Sequence, residues 1–372
     1  MRQPTNSGGR PGNRRIPADG VVRVGPLMGL PNLVRNLGCE PDPILASEGF
    51  DPAQFADPDA EVSFVAASKL LAHCVEATGC EHLGLLLGER AAASSLGIAG
   101  FMLQAAPDLG TALTDLVRYL DLHDRGGLAT LTIQGRLTYL GYAIHLSGVE
   151  AADQIYDLAM AVVCRIMRNL CGSAWSPEEV LLAHQPPKDL EPYRQFFGAP
   201  VLFDADRSAV VFETRWLDHP ISGADPLLHR HFEREAGELR AVQPTGLVYQ
   251  LRRLLRRSLA VENKADSPVI AGQLGMHVRT LNRRLREEGT SFRQQFEDIR
   301  YEVARQLLAD TNLPLGKIGA ALGYADSTAF VRAFKRWSGT PPAEWRRLHR
   351  QSQDAGARSS SEDARVTDRV VN

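Results

Sequence analysis

The spacing of apolar positions changes character near the middle of the chain. Up to about residue 215 the pattern is mixed. "LLAHCVEATGCEHLGLLLGER" and "LGTALTDLVRYLDLHD" repeat apolar residues at steps of three and four, which predicts helices. "LATLTIQGRLTYLGYAIHL" alternates on both sides of Gly135, which predicts a hairpin. "QIYDLAMAVVCRIMRNLCG" is apolar on more than one face, as a buried helix is, and Gly172 stops it. "EEVLLAHQ" and "SAVVFET" predict strands, completing an α+β unit. From about 247 onward every periodic stretch is helical, with a break at "AVQPTG" (241–246) where Pro and Gly interrupt the pattern.

The helical half contains a repeat. "IAGQLGM" (270–276) and "IGAALGY" (318–324) are one pattern displaced by 48 residues. Each closes a short helix and turns at Gly275 or Gly323, since glycine takes a positive φ without steric cost. "VRTLNRRLREE" follows the first turn and "STAFVRAFKRW" the second. A short helix, a glycine turn and a polar-faced helix form a helix-turn-helix. Between the copies runs "SFRQQFEDIRYEVARQLLAD", with Phe292, Phe296, Ile299, Val303 and Leu307 at helical spacing. Its roughly 19 helical residues give about 28 Å of rod, close to the ~34 Å between successive major-groove faces of DNA.

In the first reading helix Leu281 and Leu285 turn to the core, leaving Arg279, Thr280, Asn282, Arg283 and Arg286 for DNA. In the second, Ser327, Thr328, Val331 and Arg332 take the equivalent face, with Lys335 and Arg336 nearer the backbone. Arginine pairs two-pronged with guanine and asparagine with adenine, so these types suit direct readout of a groove. Arg252, Arg253, Arg256 and Arg257, one helix earlier, divide evenly between a phosphate contact and a solvated face.

Charge supports the same division. The net charge is −2, but residues 241–350 hold 19 Lys and Arg against 10 Asp and Glu, while residues 21–240 hold 16 against 29. A basic unit joined to an acidic one fits a nucleic-acid binder coupled to something with another task. Five cysteines without C-x-x-C spacing, and no apolar run long enough for a membrane span, point to reduced thiols and a cytoplasmic location. The ends, 1–20 and 351–372, are polar and read as disordered tails.

The C-terminal hundred residues resemble the AraC/XylS family of bacterial transcription regulators. The likeness runs through "LNRRLREEGTSFRQQFEDIRYEVARQLLADTNLPLGKIGAALGYADSTAFVRAFKRWSGTPPAEWR", including Arg300, Ala304, Leu307 and Leu308, then Gly339, Pro342 and Arg346. Three positions depart from the family pattern: His277 where a serine cap is usual, Ala325 for a common serine, and Gly319 for alanine. A lost cap or an added glycine costs a helix about 1 kcal/mol or less. "LGIAGFMLQAAPDLGTALTDLVRYLDLHD" and "CGSAWSPEEVLLAHQPPKDLEPYRQFFGAPVLFDADRSAVVF" resemble the arabinose-binding-type ligand-binding domain that partners this DNA-binding domain.

The resemblance implies an α+β N-terminal sensor domain followed by an all-α double helix-turn-helix DNA-binding domain. Its boundaries are expected at 21–215 for the ligand-binding unit, 216–245 for a connector and 246–350 for the DNA-binding unit. The expected partners are double-stranded promoter DNA, RNA polymerase for an activator, a small organic effector and a second copy of the chain. No cofactor, metal or membrane is expected. His123, His145, Arg165 and Trp175 are the candidate effector-binding residues, on or beside the apolar helix and hairpin that would wall a pocket.

Three other patterns carry bland alternatives. "GADPLLHRHFERE" has the spacing of a cupin metal motif, with His229, His231 and Glu235, but reads as helix rather than strand. His73, Cys74, Cys80 and His82 lie on an apolar helical stretch, where such residues are ordinarily core or surface. His123 and Asp124 lack a nucleophile motif, so no enzyme is expected. The rival to a sensor is a DNA-binding regulator whose N-terminal domain binds no ligand and serves dimerisation or interaction.

Overall fold

The computed structural model describes residues 20–146, 148–242, 246–262 and 265–351. The expected tails fall outside these residues except at Gly20 and Gln351, as does the centre of the "AVQPTG" break.

The predicted hairpin forms the spine of the first unit. β1 (Val21–Arg23) pairs antiparallel with β2 (Glu61–Ser63) as a separate ribbon. β3 (Gly127–Gln134) and β4 (Leu137–Ile144) flank a turn in which Gly135 has φ 62°. β5 (Glu179–Leu181), β6 (Val201–Leu202) and β7 (Ser208–Glu213) complete a five-stranded sheet in the order β3-β4-β7-β5-β6. All its pairings are antiparallel except β5 with β6. β1, β2 and β6, of two or three residues each, are too short to show a period-two pattern, and the sequence reading misses them.

The apolar helix spans Ala152–Cys171 and ends at Gly172, where the sequence places the stop. It packs on the sheet with one face and on helix Leu83–Gly88 with another, which is why it is apolar around most of its circumference. The two helices touch backbone to backbone. A Cβ on Gly84 would lie 2.0 Å from the Gln154 carbonyl oxygen, and the Gly84 N–H donates to Gln154 Oε1 at 2.9 Å.

Helix Pro226–Val242 runs over the surface of this unit and buries only His229 and Ala236. His229 Nε2 is 2.7 Å from Asp115 Oδ2, and among the described residues no His, Cys, Asp and Glu group is arranged to hold a metal. The stretch with cupin-like spacing is therefore a helix anchored by one buried His–Asp pair. Among the described residues no helix is long and apolar enough to cross a membrane.

The second unit is all helix: Leu247–Glu262, Ser267–Gln273, Val278–Glu287, Phe292–Asp310, Leu315–Ala321, Ser327–Ser338 and a further stretch over 342–351. Its core gathers Leu251, Leu255, Ile270, Leu281, Leu285, Ile299, Leu308, Ile318, Phe330 and Phe334. The two halves of the sequence thus bury two separate principal cores, one α+β and one α.

Candidate DNA-reading helices and effector cavity

Both repeat units fold alike. Helix Ser267–Gln273 turns at Gly275 (φ 66°) into helix Val278–Glu287, and helix Leu315–Ala321 turns at Gly323 (φ 75°) into helix Ser327–Ser338. The first reading helix buries Leu281 and Leu285 and the second Phe330, Ala333 and Phe334, so each presents its remaining faces outward. Arg279, Arg283 and Arg286 are exposed, with Thr280 and Asn282 half-buried beside them. Ser327, Thr328, Arg332, Lys335 and Arg336 are exposed and Val331 is half-buried. The helix Phe292–Asp310, 19 residues long as its pattern predicts, joins the two.

The departures from the family pattern are compensated locally. His277 Nδ1 accepts from the Arg279 N–H at 3.3 Å, a long but correctly placed cap. Asp326 supplies the cap of the second helix, accepting from Ala329 N–H at 2.7 Å, so Ala325 is not missed. At Gly319 a Cβ would lie 3.1 Å from Phe330 Cβ, and glycine there lets the second pair of helices close tightly. The expected loss of helix stability is smaller than propensity alone suggests.

The arginine cluster on Leu247–Glu262 points inward, against the phosphate reading. Arg252 Nη2 lies 2.7 Å from both oxygens of Glu302. Arg256 Nη2 donates to Glu302 at 2.6 Å and its Nη1 to the Ile144 carbonyl of β4 at 2.6 Å. Arg253 pairs with Asp121, and only Arg257 is left exposed. Burial with an acidic partner explains the inward turn, because a guanidinium leaves water only where its donors are matched. Two motif arginines serve the fold as well. Arg300 stacks over Phe296 and Tyr324, and Arg346 donates to the Leu313 carbonyl at 2.7 Å.

In the first unit a cavity of about 110 Å³ lies between β3–β4, the Ala152–Cys171 helix and the helices before them. Ala129 and Tyr142 are register partners on its strand wall, while Leu158, Val162 and Ile166 recur at helical spacing on the opposite wall. His123, Asp124 and Arg23 are among the lining residues, but the wall that faces the space is almost wholly apolar. Asp124 is fully engaged: Oδ1 accepts from Gly126 N–H at 2.7 Å and Gly127 N–H at 2.9 Å, and Oδ2 from the Tyr142 hydroxyl at 2.6 Å. Burial raises its carboxyl above the usual range. Burial, with Arg23 nearby, lowers His123 to about 3, so its ring is neutral.

Comparison with known proteins agrees with this architecture. Residues 38–221 match the arabinose-binding domain of AraC transcription regulators, and residues 270–348 match a helix-turn-helix domain. The ornithine utilization regulator of Pseudomonas aeruginosa is 28% identical over 85% of this chain and 93% of its own. The HTH-type transcriptional regulator VirS of Mycobacterium tuberculosis is 28% identical over 88% of this chain and 96% of its own. Among solved structures, CdpR of Pseudomonas aeruginosa covers 85% of this chain and 97% of its own at 21% identity, with a TM-score of 0.42.

The chain belongs to the AraC-type transcription regulators.

In this AraC-type regulator the four residues picked out as effector contacts do not converge. His123 lines the cavity. His145 is buried against Tyr249 at the junction with the helical unit. Trp175 is 2% exposed and packs edge-on against Phe212, a core residue as its flanking breaks allowed. Arg165 lies on the long helix, outside the lining of the cavity. Sequence reasoning missed Tyr142 and Arg23. The alternation of the hairpin places Leu140 and Tyr142 on one face, a usable signal, whereas a lone arginine on a three-residue strand offers none.

Proposed function

We propose that this regulator reads an asymmetric promoter site with its two reading helices, and that a small organic effector entering the N-terminal cavity changes its occupancy of that site. The single observation behind the first half is the exposed polar and basic face on each helix of a duplicated unit, joined by one continuous helix. The contact set would be Arg279, Thr280, Asn282, Arg283 and Arg286, then Ser327, Thr328, Val331, Arg332, Lys335 and Arg336. Residues 246–350 would form the DNA-binding unit, 216–245 the connector and 21–215 the regulatory unit, working in the cytoplasm on promoter DNA and, for an activator, with RNA polymerase.

Fluorescence anisotropy of the full chain on duplexes from upstream of its own gene tests the DNA half. Neutralising several phosphates predicts affinity falling by orders of magnitude between 50 and 200 mM salt. Salt-insensitive binding, or no duplex bound, would remove the reading. For the sensing half, a promoter reporter is compared between the wild type and a cavity-filling Ala129→Leu variant across growth conditions. Identical responses would favour a ligandless N-terminal domain. One observation speaks for that rival: helix Pro226–Val242 leaves Leu227 and Val242 more than 70% exposed, a surface suited to a second copy of the chain. Light scattering of the full chain measures that dimer directly.

A further inference from the structure

Taking the N-terminal cavity as the effector site proposed above, we propose that its ligand is a small uncharged hydrocarbon-like molecule, a benzene-sized ring or short alkyl body with no group that needs a hydrogen bond.

The walls set the chemistry of the ligand. Leu27, Leu71, Leu116, Leu140, Leu158 and Ile166 surround the space and make its surface almost wholly apolar. The polar residues of the lining are committed elsewhere. Ser68 donates to the Val65 carbonyl and accepts from Glu150 N–H. The Tyr142 hydroxyl donates to one Asp124 oxygen, and the Gly126 and Gly127 N–H groups fill the other. Arg23 gives its charge to the exposed Asp59. His123 is buried and its ring is neutral. A water in this space would find no set of polar partners. A carboxylate, an ammonium or a sugar ring would leave its hydration behind with nothing in return. A hydrocarbon has no hydration of that kind to lose.

The volume of about 110 Å³ sets the size of the guest. Protein interiors leave few voids larger than a water, because an apolar void denies its lining the dispersion contacts of a packed core. Apolar cavities of this order stay dry and admit a benzene ring, a body of about six heavy atoms. Binding would draw on two gains: the guest leaves water, and the side chains around it recover those contacts. Neither gain involves a hydrogen bond, so a hydroxyl or a charge on the same body can only weaken it. The place of the cavity makes its filling felt. Leu120 and Ala129 line it and also line a second space at the junction, bounded by Arg253 and Gln273 of the helical unit. One layer of side chains therefore separates the guest from that junction. Pressure on Leu120 acts one residue from Asp121, which holds Arg253.

The test uses the full chain in calorimetric titrations and thermal shift with benzene and n-hexane, their hydroxylated counterparts phenol and 1-hexanol, and with benzoate and L-arabinose. The ring and chain pairs distinguish the two kinds of apolar body. The expected result is a raised midpoint with at least one hydrocarbon, binding about tenfold tighter than its alcohol because a hydroxyl buried without a partner is costly. Benzoate and arabinose should leave the midpoint unmoved. Ala159→Leu, which fills the cavity from the helix wall, should abolish the hydrocarbon's effect. Comparing each pair on the wild type needs no variant, so a misfolded Ala159→Leu does not block the answer. Equal or tighter binding of the alcohol, or binding of benzoate or arabinose in place of the hydrocarbons, overturns the apolar ligand while leaving the effector site standing. Hydrocarbon binding that persists in a folded Ala159→Leu puts the guest elsewhere and overturns it too. Binding of none of the six also overturns it, and the reporter comparison then decides separately whether the domain senses anything.

Discussion

Arg253, on the first helix of the DNA-binding unit, is ion-paired with Asp121 of the sensor unit, two residues before His123 of the cavity. Arg240 reaches the same carboxylate from the connector at 3.3 Å. Tyr249 donates to the Arg125 carbonyl, Gln306 of the connecting helix meets the Tyr156 hydroxyl, and Tyr156 packs edge-on against Tyr142 of the cavity. The segment 121–125 therefore forms a cavity wall on one side and the seat of the helical unit on the other.

Removing Asp121 leaves the largely buried Arg253 without its counter-charge, while Arg240 is exposed enough to be solvated. Asp121→Ala is expected to destabilise the full chain by about 3 kcal/mol, because breaking a buried pair from one side strands the other charge. Arg253→Met should cost less, because Arg240 still pairs with the buried Asp121 carboxylate at 3.3 Å. Denaturant unfolding of both single variants and the double variant measures the coupling. Additive losses would show that the pair is not a working contact.

The reading helices should act on different halves of one site. Arg283→Ala and Arg332→Ala are each expected to relax base preference by about 1–3 kcal/mol at positions roughly 10 bp apart. Arg283 rests 2.9 Å from Glu287 in the free chain, an exposed pair that DNA can displace at little cost. Binding of each variant to a panel of operator base changes makes the measurement. Uniform loss of affinity on every sequence would make these arginines phosphate anchors instead.

Phe334 is fully buried and its ring contacts Tyr301, Phe330 and Trp345. Phe334→Ala is expected to cost about 3–5 kcal/mol. DNA binding should be lost through unfolding of the second helix-turn-helix. Circular dichroism melting beside anisotropy would expose the alternative, a folded variant that no longer binds.

Local patterns made the DNA-binding half legible. The repeat, the two turn glycines and the burial of Leu281, Leu285, Phe330 and Phe334 all follow from helical periodicity, which needs only neighbouring residues. Arg252, Arg253 and Arg256, left open between a phosphate contact and a solvated face, turn inward instead. A basic run looks the same whether it faces phosphates or carboxylates, and Asp121 lies 132 residues from Arg253. The sensor's hairpin and long helix were equally plain, but its cavity was not. His123, Arg23 and Tyr142 come from three separate elements, and only folding decides which polar residues share an interior space. Trp175 and His145 show the converse: residues with ligand-like chemistry that packing assigns to the core and to the junction between units.

Proton binding at that junction gives the last expectation. Asp310, at the end of the connecting helix, lines the space between the units together with Asp153, Arg305 and His349. Burial, and then Asp153, raise its carboxyl from 3.8 to about 7, with His184 opposing. The folded, docked state therefore binds a proton that the unfolded chain releases near pH 4. An acid raised in this way stabilises the docked arrangement while protonated, and that contribution declines as pH rises from about 4 through about 7. Asp310→Asn keeps the neutral shape at every pH, so its thermal midpoint should exceed that of the wild type by a margin that grows from pH 5 to about 7 and levels off above. Melting curves of the two proteins from pH 5 to 8 check this. Parallel curves would mean that Asp310 is ionised throughout and that the junction carries no proton-linked component at this position.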